Sequence, residues 1–229
     1  MQFGFKEYFT IIAVLLSALP SSVLAKGTIS GKVSIVSKAR AEKEASSDVV
    51  VFIEEVPSFD SGLSTPKSAK ISMSHKAFIP NVLPVLKGTT VAFPNQDIVM
   101  HNVFSLSKLK PFDLGLYGAG DEKSVTFPQS GLTKIYCNIH EEMVGYILIL
   151  DNPYFTVTDS SGRFKIPNVP SGNYTLTAWS SHSKSQSRPV QIRDKGKESQ
   201  TELNFKLAEE GHNRGHLNKW GKAYKEGAY

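Results

Sequence analysis

Thr133-Lys134-Ile135-Tyr136-Cys137-Asn138-Ile139-His140-Glu141-Glu142-Met143-Val144-Gly145-Tyr146-Ile147-Leu148-Ile149-Leu150 carries two strand signals around one loop. Thr133–Cys137 and Val144–Leu150 are rich in β-branched and aromatic residues, which suit a pleated, half-buried surface. A C-x2-H-x2-M run occupies the end of the first strand and the loop after it.

Similar segments recur in both directions. Toward the N-terminus, Thr28–Ile35 alternates with period two, and Asp48–Glu55 encloses the apolar run Val49-Val50-Val51-Phe52-Ile53. Ile71–Met73, Val82–Leu86, Thr89–Phe93 and Lys123–Phe127 fill the middle. Past Asn152-Pro153 come Tyr154–Thr158, Arg163–Ile166, Tyr174–Ala178, Pro189–Ile192 and Thr201–Leu207. Pro80, Pro84, Pro94, Pro111 and Pro128 argue against long helices. The expected class is all-β, with short strands at regular spacing forming sandwiches or barrels. Pro57–Ser68 is polar and reads as a linker, and residues 209–229, charged and aperiodic, read as a mobile tail.

The chain has 229 residues, 40% hydrophobic and 21% charged, values of an ordinary globular protein of one or two domains. Its net charge of +5 is spread along the sequence and gives no footprint for nucleic acid. Residues 1–25 read as an export signal: Lys6 supplies the positive start, Thr10–Leu19 the apolar segment and Val23-Leu24-Ala25 the cleavage site. The alternative is a retained anchor, but the apolar run is short of the ~20 residues needed to span a bilayer. A periplasmic or secreted location follows from cleavage. There, the single cysteine has no internal disulfide partner and needs another role.

Met100-His101-Asn102-Val103-Phe104-Ser105 lies upstream of the C-x2-H-x2-M run. Together His101, Cys137, His140 and Met143 offer two imidazoles, one thiolate and one thioether. This mixed hard and soft set suits copper cycling between Cu(I) and Cu(II); His2Cys with a weak axial Met is the type 1, or blue-copper, arrangement. Phe78-Ile79-Pro80, Lys87-Gly88-Thr89-Thr90-Val91, Phe93-Pro94-Asn95-Gln96-Asp97 and His101-Asn102-Val103-Phe104 follow one another in the order of the F-x-P, K-G-x-x-V, F-x-N-x-D and H-N-V-F stretches of the cupredoxins. Over roughly 71–150, within an expected domain of 68–150, the chain resembles that family, in particular its amicyanin and plastocyanin-like members and exported proteins labelled methylamine-utilisation-like.

The resemblance implies a Greek-key β-sandwich holding one type 1 copper through His101, Cys137, His140 and Met143. It implies that Asn102 ties the two ligand loops together and sets a backbone N–H near the Cys137 sulfur. Amicyanin-like loops usually carry proline at the positions of Ile139 and Glu141. Ile139 therefore keeps an N–H that can reach the thiolate. Glu141 and Glu142, beside the exposed edge of His140 through which cupredoxins commonly pass electrons, favour a basic redox partner; the equal alternative is solvated loop charges.

Asp159-Ser160-Ser161-Gly162-Arg163-Phe164 and Val169-Pro170-Ser171-Gly172-Asn173-Tyr174-Thr175-Leu176 resemble the D-x-x-G-x-F turn and P-x-G-x-Y-x-L strand of the carboxypeptidase-regulatory-like β-sandwich. Gly27-Thr28-Ile29-Ser30-Gly31-Lys32-Val33 resembles that family's opening strand. The expected arrangement is one such sandwich split into 27–57 and 152–208 around the cupredoxin domain. The alternative makes 27–55 extra strands of the middle domain.

These readings imply an exported outer-sphere electron carrier and no enzyme, since four protein ligands leave no position for substrate. A copper-delivery protein and a non-redox binding module are the competing classes. His212 and His216 have no third ligand adjacent, His75 reads as surface, and Tyr224 and Tyr229 with Lys219, Lys222 and Lys225 read as a basic aromatic tail.

Overall fold

Every regular element among the described residues is a strand. The computed structural model describes residues 26–36, 47–57, 68–193, 199–209 and 216–224. The export signal expected at 1–25 lies outside them, as do the linker and tail residues 58–67, 210–215 and 225–229, His212 among these. No helix of the described residues is long and apolar enough to cross a membrane.

The first strands are β1 (Lys26–Val36), β2 (Val50–Ile53), β3 (Ser68–Lys70), β4 (Ser72–Ser74), β5 (Ala77–Ile79) and β6 (Val82–Leu86). Next come β7 (Thr90–Pro94), β8 (His101–Ser105), β9 (Phe112–Tyr117), β10 (Glu122–Thr126), β11 (Gly131–Tyr136) and β12 (Val144–Leu150). The chain continues through β13 (Phe155–Val157), β14 (Arg163–Pro170), β15 (Gly172–Ser180), β16 (Ser183–Ile192), β17 (Ser199–Glu202) and β18 (Phe205–Ala208).

The middle of the chain folds as two sheets, ordered β6-β12-β11-β8-β9 and β10-β7-β3, with β4 and β5 as a separate hairpin. Between them lies a core that includes Ile71, Met73, Phe78, Phe93, Val103, Phe127, Ile135 and Ile147. Each such fully buried large side chain contributes about 1.5–3 kcal/mol relative to exposure. Pro84 is tolerated inside β6 because that strand is an edge, with β12 its one partner in the sheet. β8 and β9 were not among the expected strands. All five β8 residues are buried, so the alternation that marks a strand is missing, while β9 contains Asp113 and Gly115, residues poor in strand propensity.

β1 and β2 pair with strands from beyond residue 152. β14-β1-β17, with β18 also on β1, forms one sheet and β13-β2-β15-β16 the other. β1 runs antiparallel to β14 but parallel to β17 and β18. The expected single strand Thr201–Leu207 is broken at Leu203-Asn204. There the Leu203 carbonyl turns onto Gly31, where a Cβ would sit 1.8 Å from its oxygen, so only glycine fits. Asn204 completes the break by accepting the Lys32 N–H at 2.8 Å. The core of this sandwich draws on both ends of the chain, for example Ile29, Val33, Val51, Phe164, Leu176 and Phe205.

The two signature turns have local causes. Asp159 Oδ1 accepts the Ser161 and Arg163 N–H groups at 2.9 Å each, and Gly162 takes the left-handed φ of 77° that closes the turn. The Tyr174 hydroxyl donates back to the Pro170 carbonyl at 3.0 Å, pinning the entry to β15.

A third apolar cluster joins the sandwiches: Val50, Val82, Leu148 and Leu150 are buried together, with Tyr146, Phe155 and Trp179 against them. At the crossing, Asn152 donates to the Ile53 carbonyl at 2.9 Å and accepts the Tyr154 N–H at 3.1 Å.

Candidate metal centre

The ends of β8 and β11 bring the donors together. His101 opens β8, Cys137 follows β11, and Tyr136 pairs directly with Phe104 across the two strands. The loop then turns back: Met143 N–H donates to the His140 carbonyl at 3.1 Å, and Cys137 N–H donates to the Met143 carbonyl at 3.2 Å. Cys137 Sγ lies 3.8 Å from His101 Nδ1 and 3.6 Å from His140 Nδ1, and the two nitrogens are 3.1 Å apart. Nitrogen donors at about 2.0–2.1 Å and a sulfur at about 2.3 Å from one ion, at angles of roughly 100–120°, lie roughly 3.1–3.8 Å from one another. The triangle therefore fits a single ion, and its donor chemistry suits copper. Met143 is buried in the same core as Cys137, returned to it by the loop's own backbone bonds.

Asp97 determines what His101 can offer. Its Oδ2 lies 2.7 Å from His101 Nε2 and accepts the Lys76 N–H at 2.9 Å, while Oδ1 accepts the His75 N–H at 2.7 Å. Burial alone would raise the Asp97 carboxyl, but the Lys76 N–H, the His101 ring and the His75 N–H together hold it below the usual carboxylate range. Against an anion Nε2 must carry the proton, which leaves the Nδ1 lone pair facing Cys137 and His140. Asn95, fully buried, builds the loop that carries Asp97: its Oδ1 accepts the Asp97 N–H at 3.0 Å, and its Nδ2 donates to the Val99 carbonyl at 2.9 Å. Asn95 and Asp97 lie within the F-x-N-x-D stretch, whose sequence alone assigns neither a role. The spacing of four between Asp97 and His101 is the one local hint, and it does not show the two amides that hold the acid.

Burial pushes the Cys137 thiol up, and the backbone N–H groups of Asn102, Ile139 and His140, which face the sulfur, pull it down. The Asn102 side chain does not bridge the two ligand loops as expected; its Nδ2 donates to Asp113 Oδ1 on β9 at 2.7 Å. The pairing of β8 with β9 shifts register between Asn102 and Phe104, which brings that carboxylate within reach. Burial, the adjacent His101 ring and Lys76 lower His140 below the ordinary imidazole range against the opposing Asp97, which favours its neutral form.

His140 is half-buried, Glu141 and Glu142 are exposed, and Ile98, Val99 and Met100, directly before His101, leave apolar surface open. The tail is not free throughout. Residues 216–224 lie on the metal loop, where the Tyr224 hydroxyl donates to the Cys137 carbonyl at 2.7 Å and the Lys219 N–H to Asn138 Oδ1 at 2.9 Å. Their charged, aperiodic sequence hid this, because they dock through backbone and polar groups instead of an apolar stripe. His75 is exposed, its ring nitrogen 3.0 Å from the Ser74 hydroxyl.

A family model described as carboxypeptidase regulatory-like domain matches residues 148–208. Comparison with curated proteins found no match. Among solved structures, a purple cupredoxin from Nitrosopumilus maritimus is 27% identical with a TM-score of 0.33, covering 35% of this chain and 98% of that one. A reduced amicyanin variant is 20% identical with a TM-score of 0.35, covering 43% and 97%. A copper-containing nitrite reductase from Thermus scotoductus SA-01 is 24% identical with a TM-score of 0.35, covering 43% and 25%. The chain thus matches the carboxypeptidase regulatory-like domain over 148–208 and has cupredoxins among its structural neighbours.

Proposed function

We propose that this is an exported type 1 copper protein acting as an outer-sphere electron carrier, with a copper domain at 68–150 inserted into a second sandwich. The observation that carries the reading is the His101–Cys137–His140 triangle, its donors 3.1–3.8 Å apart, with Asp97 fixing one imidazole. Bound copper would supply a one-electron couple between Cu(I) and Cu(II). His101, Cys137 and His140 would hold the ion, and Met143, buried in the same core, would supply a thioether donor. N–H groups of Asn102, Ile139 and His140 stabilise negative charge on the sulfur, which favours the reduced state. Loop closure through Cys137 and Met143 keeps the donors fixed as the charge changes. His140, half-buried, is the proposed exit edge, and the exposed Glu141 and Glu142 beside it favour a basic partner. Docking of that kind would make electron-transfer rates fall with ionic strength.

The absorption spectrum of copper-loaded protein tests the reading. An intense visible band that bleaches reversibly on reduction and is absent from Cys137→Ser is expected. A colourless protein that binds Cu(I) and releases it to an acceptor would make this a delivery protein instead.

A further inference from the structure

We propose that His216–Tyr224 forms a strap that sets the conformation of the metal loop, with Tyr224 and Lys219 as positioning residues for Cys137. The segment is built as a unit. Asn218 Oδ1 accepts the N–H groups of Trp220 and Lys222 at 3.0 Å each, and the Asn218 carbonyl accepts the Gly221 N–H at 2.8 Å. His216 packs its ring on Tyr136, centroids 4.5 Å apart, beside Phe104, and meets the Tyr224 ring edge-on at 5.3 Å.

Two routes lead from the strap to the sulfur. Tyr224 donates to the Cys137 carbonyl at 2.7 Å, which fixes the Cys137–Asn138 peptide plane just before the Ile139 and His140 amides that face Sγ. Lys219 donates its N–H to Asn138 Oδ1 at 2.9 Å and its ammonium to Asp113 Oδ2 at 2.6 Å. Asp113 Oδ1 in turn holds the side chain of Asn102, whose backbone N–H also faces the sulfur. One short segment therefore restrains the chain on both sides of Cys137. The consequence for electron transfer rests on the function proposed above; the hold on the loop does not.

Amide hydrogen exchange on the full chain, metal-free and copper-loaded, tests the strap. Tyr224→Phe removes only the hydroxyl, Lys219→Met only the ammonium, and Lys222→Ala, at an exposed position, is the control. Amides 138–143 are expected to exchange roughly three- to tenfold faster in the Tyr224 variant, from the usual net worth of one hydrogen bond. A smaller acceleration is expected at Lys219 and none in the control, with β15 and β16 unchanged in all three. Copper release from the Tyr224 variant should accelerate by a similar factor. Native exchange at 138–143 in both strap variants, or acceleration spread evenly over the chain, overturns the proposal. Loop-specific acceleration in a protein that shows no visible copper band supports the strap while removing the carrier function.

Discussion

Asp97→Asn separates a carboxylate that orients His101 from one that merely lies beside it. Three donors share two oxygens: Oδ1 takes the His75 N–H, and Oδ2 takes the Lys76 N–H and His101 Nε2–H. An asparagine offers one accepting oxygen. With that oxygen in the Oδ2 place, its NH2 group opposes the His75 N–H; turned the other way, it opposes Lys76 and forces His101 into the wrong tautomer. The first orientation loses one hydrogen bond to a charged acceptor and weakens two others. A charged hydrogen bond contributes about 1.5–3 kcal/mol, so the expected cost is of that order. Part of it appears as metal affinity, where outer-shell partners are typically worth roughly 10–100-fold. The assay is competition for copper against a chromophoric chelator, with thermal unfolding of the metal-free protein measured in parallel. Affinity within about twofold of native would refute the claim that Asp97 holds the His101 lone pair on the site.

Three further outcomes are expected. Ile139→Pro removes an N–H that faces Sγ, so the midpoint potential should fall by about 20–60 mV, the equivalent of one modest hydrogen bond; an unchanged or higher potential contradicts this. Gly31→Ala drives a Cβ to 1.8 Å from the Leu203 oxygen and should destabilise the chain by at least about 2 kcal/mol in thermal unfolding while leaving the metal centre's spectrum intact; a native melting temperature refutes the close approach. Burial alone would raise Asp113, but Lys219, the Gly115 N–H and Asn102 hold it below its ordinary 3.8. A carboxyl lowered on folding adds stability that is present above its unfolded value and lost as pH falls through the folded one. The strap should therefore loosen below about pH 4, read by Trp220 fluorescence in a Trp179→Phe background, and an acid transition persisting in Asp113→Asn counts against it.

The proximity of Cys137 and His140 was legible because both sit in one continuous loop, where spacing in sequence is nearly spacing in space. His101 was legible from its own motif. Asp97 was not, since its role depends on the His75 and Lys76 amides arriving from the turn between β4 and β5, and nothing local announces that meeting. The strands of high alternation, such as β1 and β15, stood out, whereas fully buried β8 and Gly-containing β9 did not. β16 begins at Ser183, well before the expected Pro189, because its early residues are Ser, Lys, Gln and Arg on an edge strand that needs little apolar content. The parallel pairing of β1 with β17 and β18 leaves no sequence mark other than a glycine whose neighbour is far along the chain.

The loop after Cys137 is held from two directions, and under the proposed carrier function this would give the second sandwich and the docked tail a role. At its C-terminal end the loop runs into β12, whose Leu148 and Leu150 are buried in the cluster joining the sandwiches, with Asn152 bonded to Ile53 just beyond. At its N-terminal end Cys137 and Asn138 are held by Tyr224 and Lys219. A loop fixed at one end only could accommodate a change of charge by swinging; one fixed at both can only shift its donors slightly. Fast outer-sphere transfer requires the second behaviour, because rearrangement of the donors adds directly to the barrier. On this reasoning Tyr224→Phe and a disruption at the junction, such as Leu148→Ala, should each slow self-exchange of the copper-loaded protein. The double variant should slow it by more than the product of the two, since each anchor limits the motion that loss of the other permits. Strictly multiplicative effects would mean that the two ends act on the site independently.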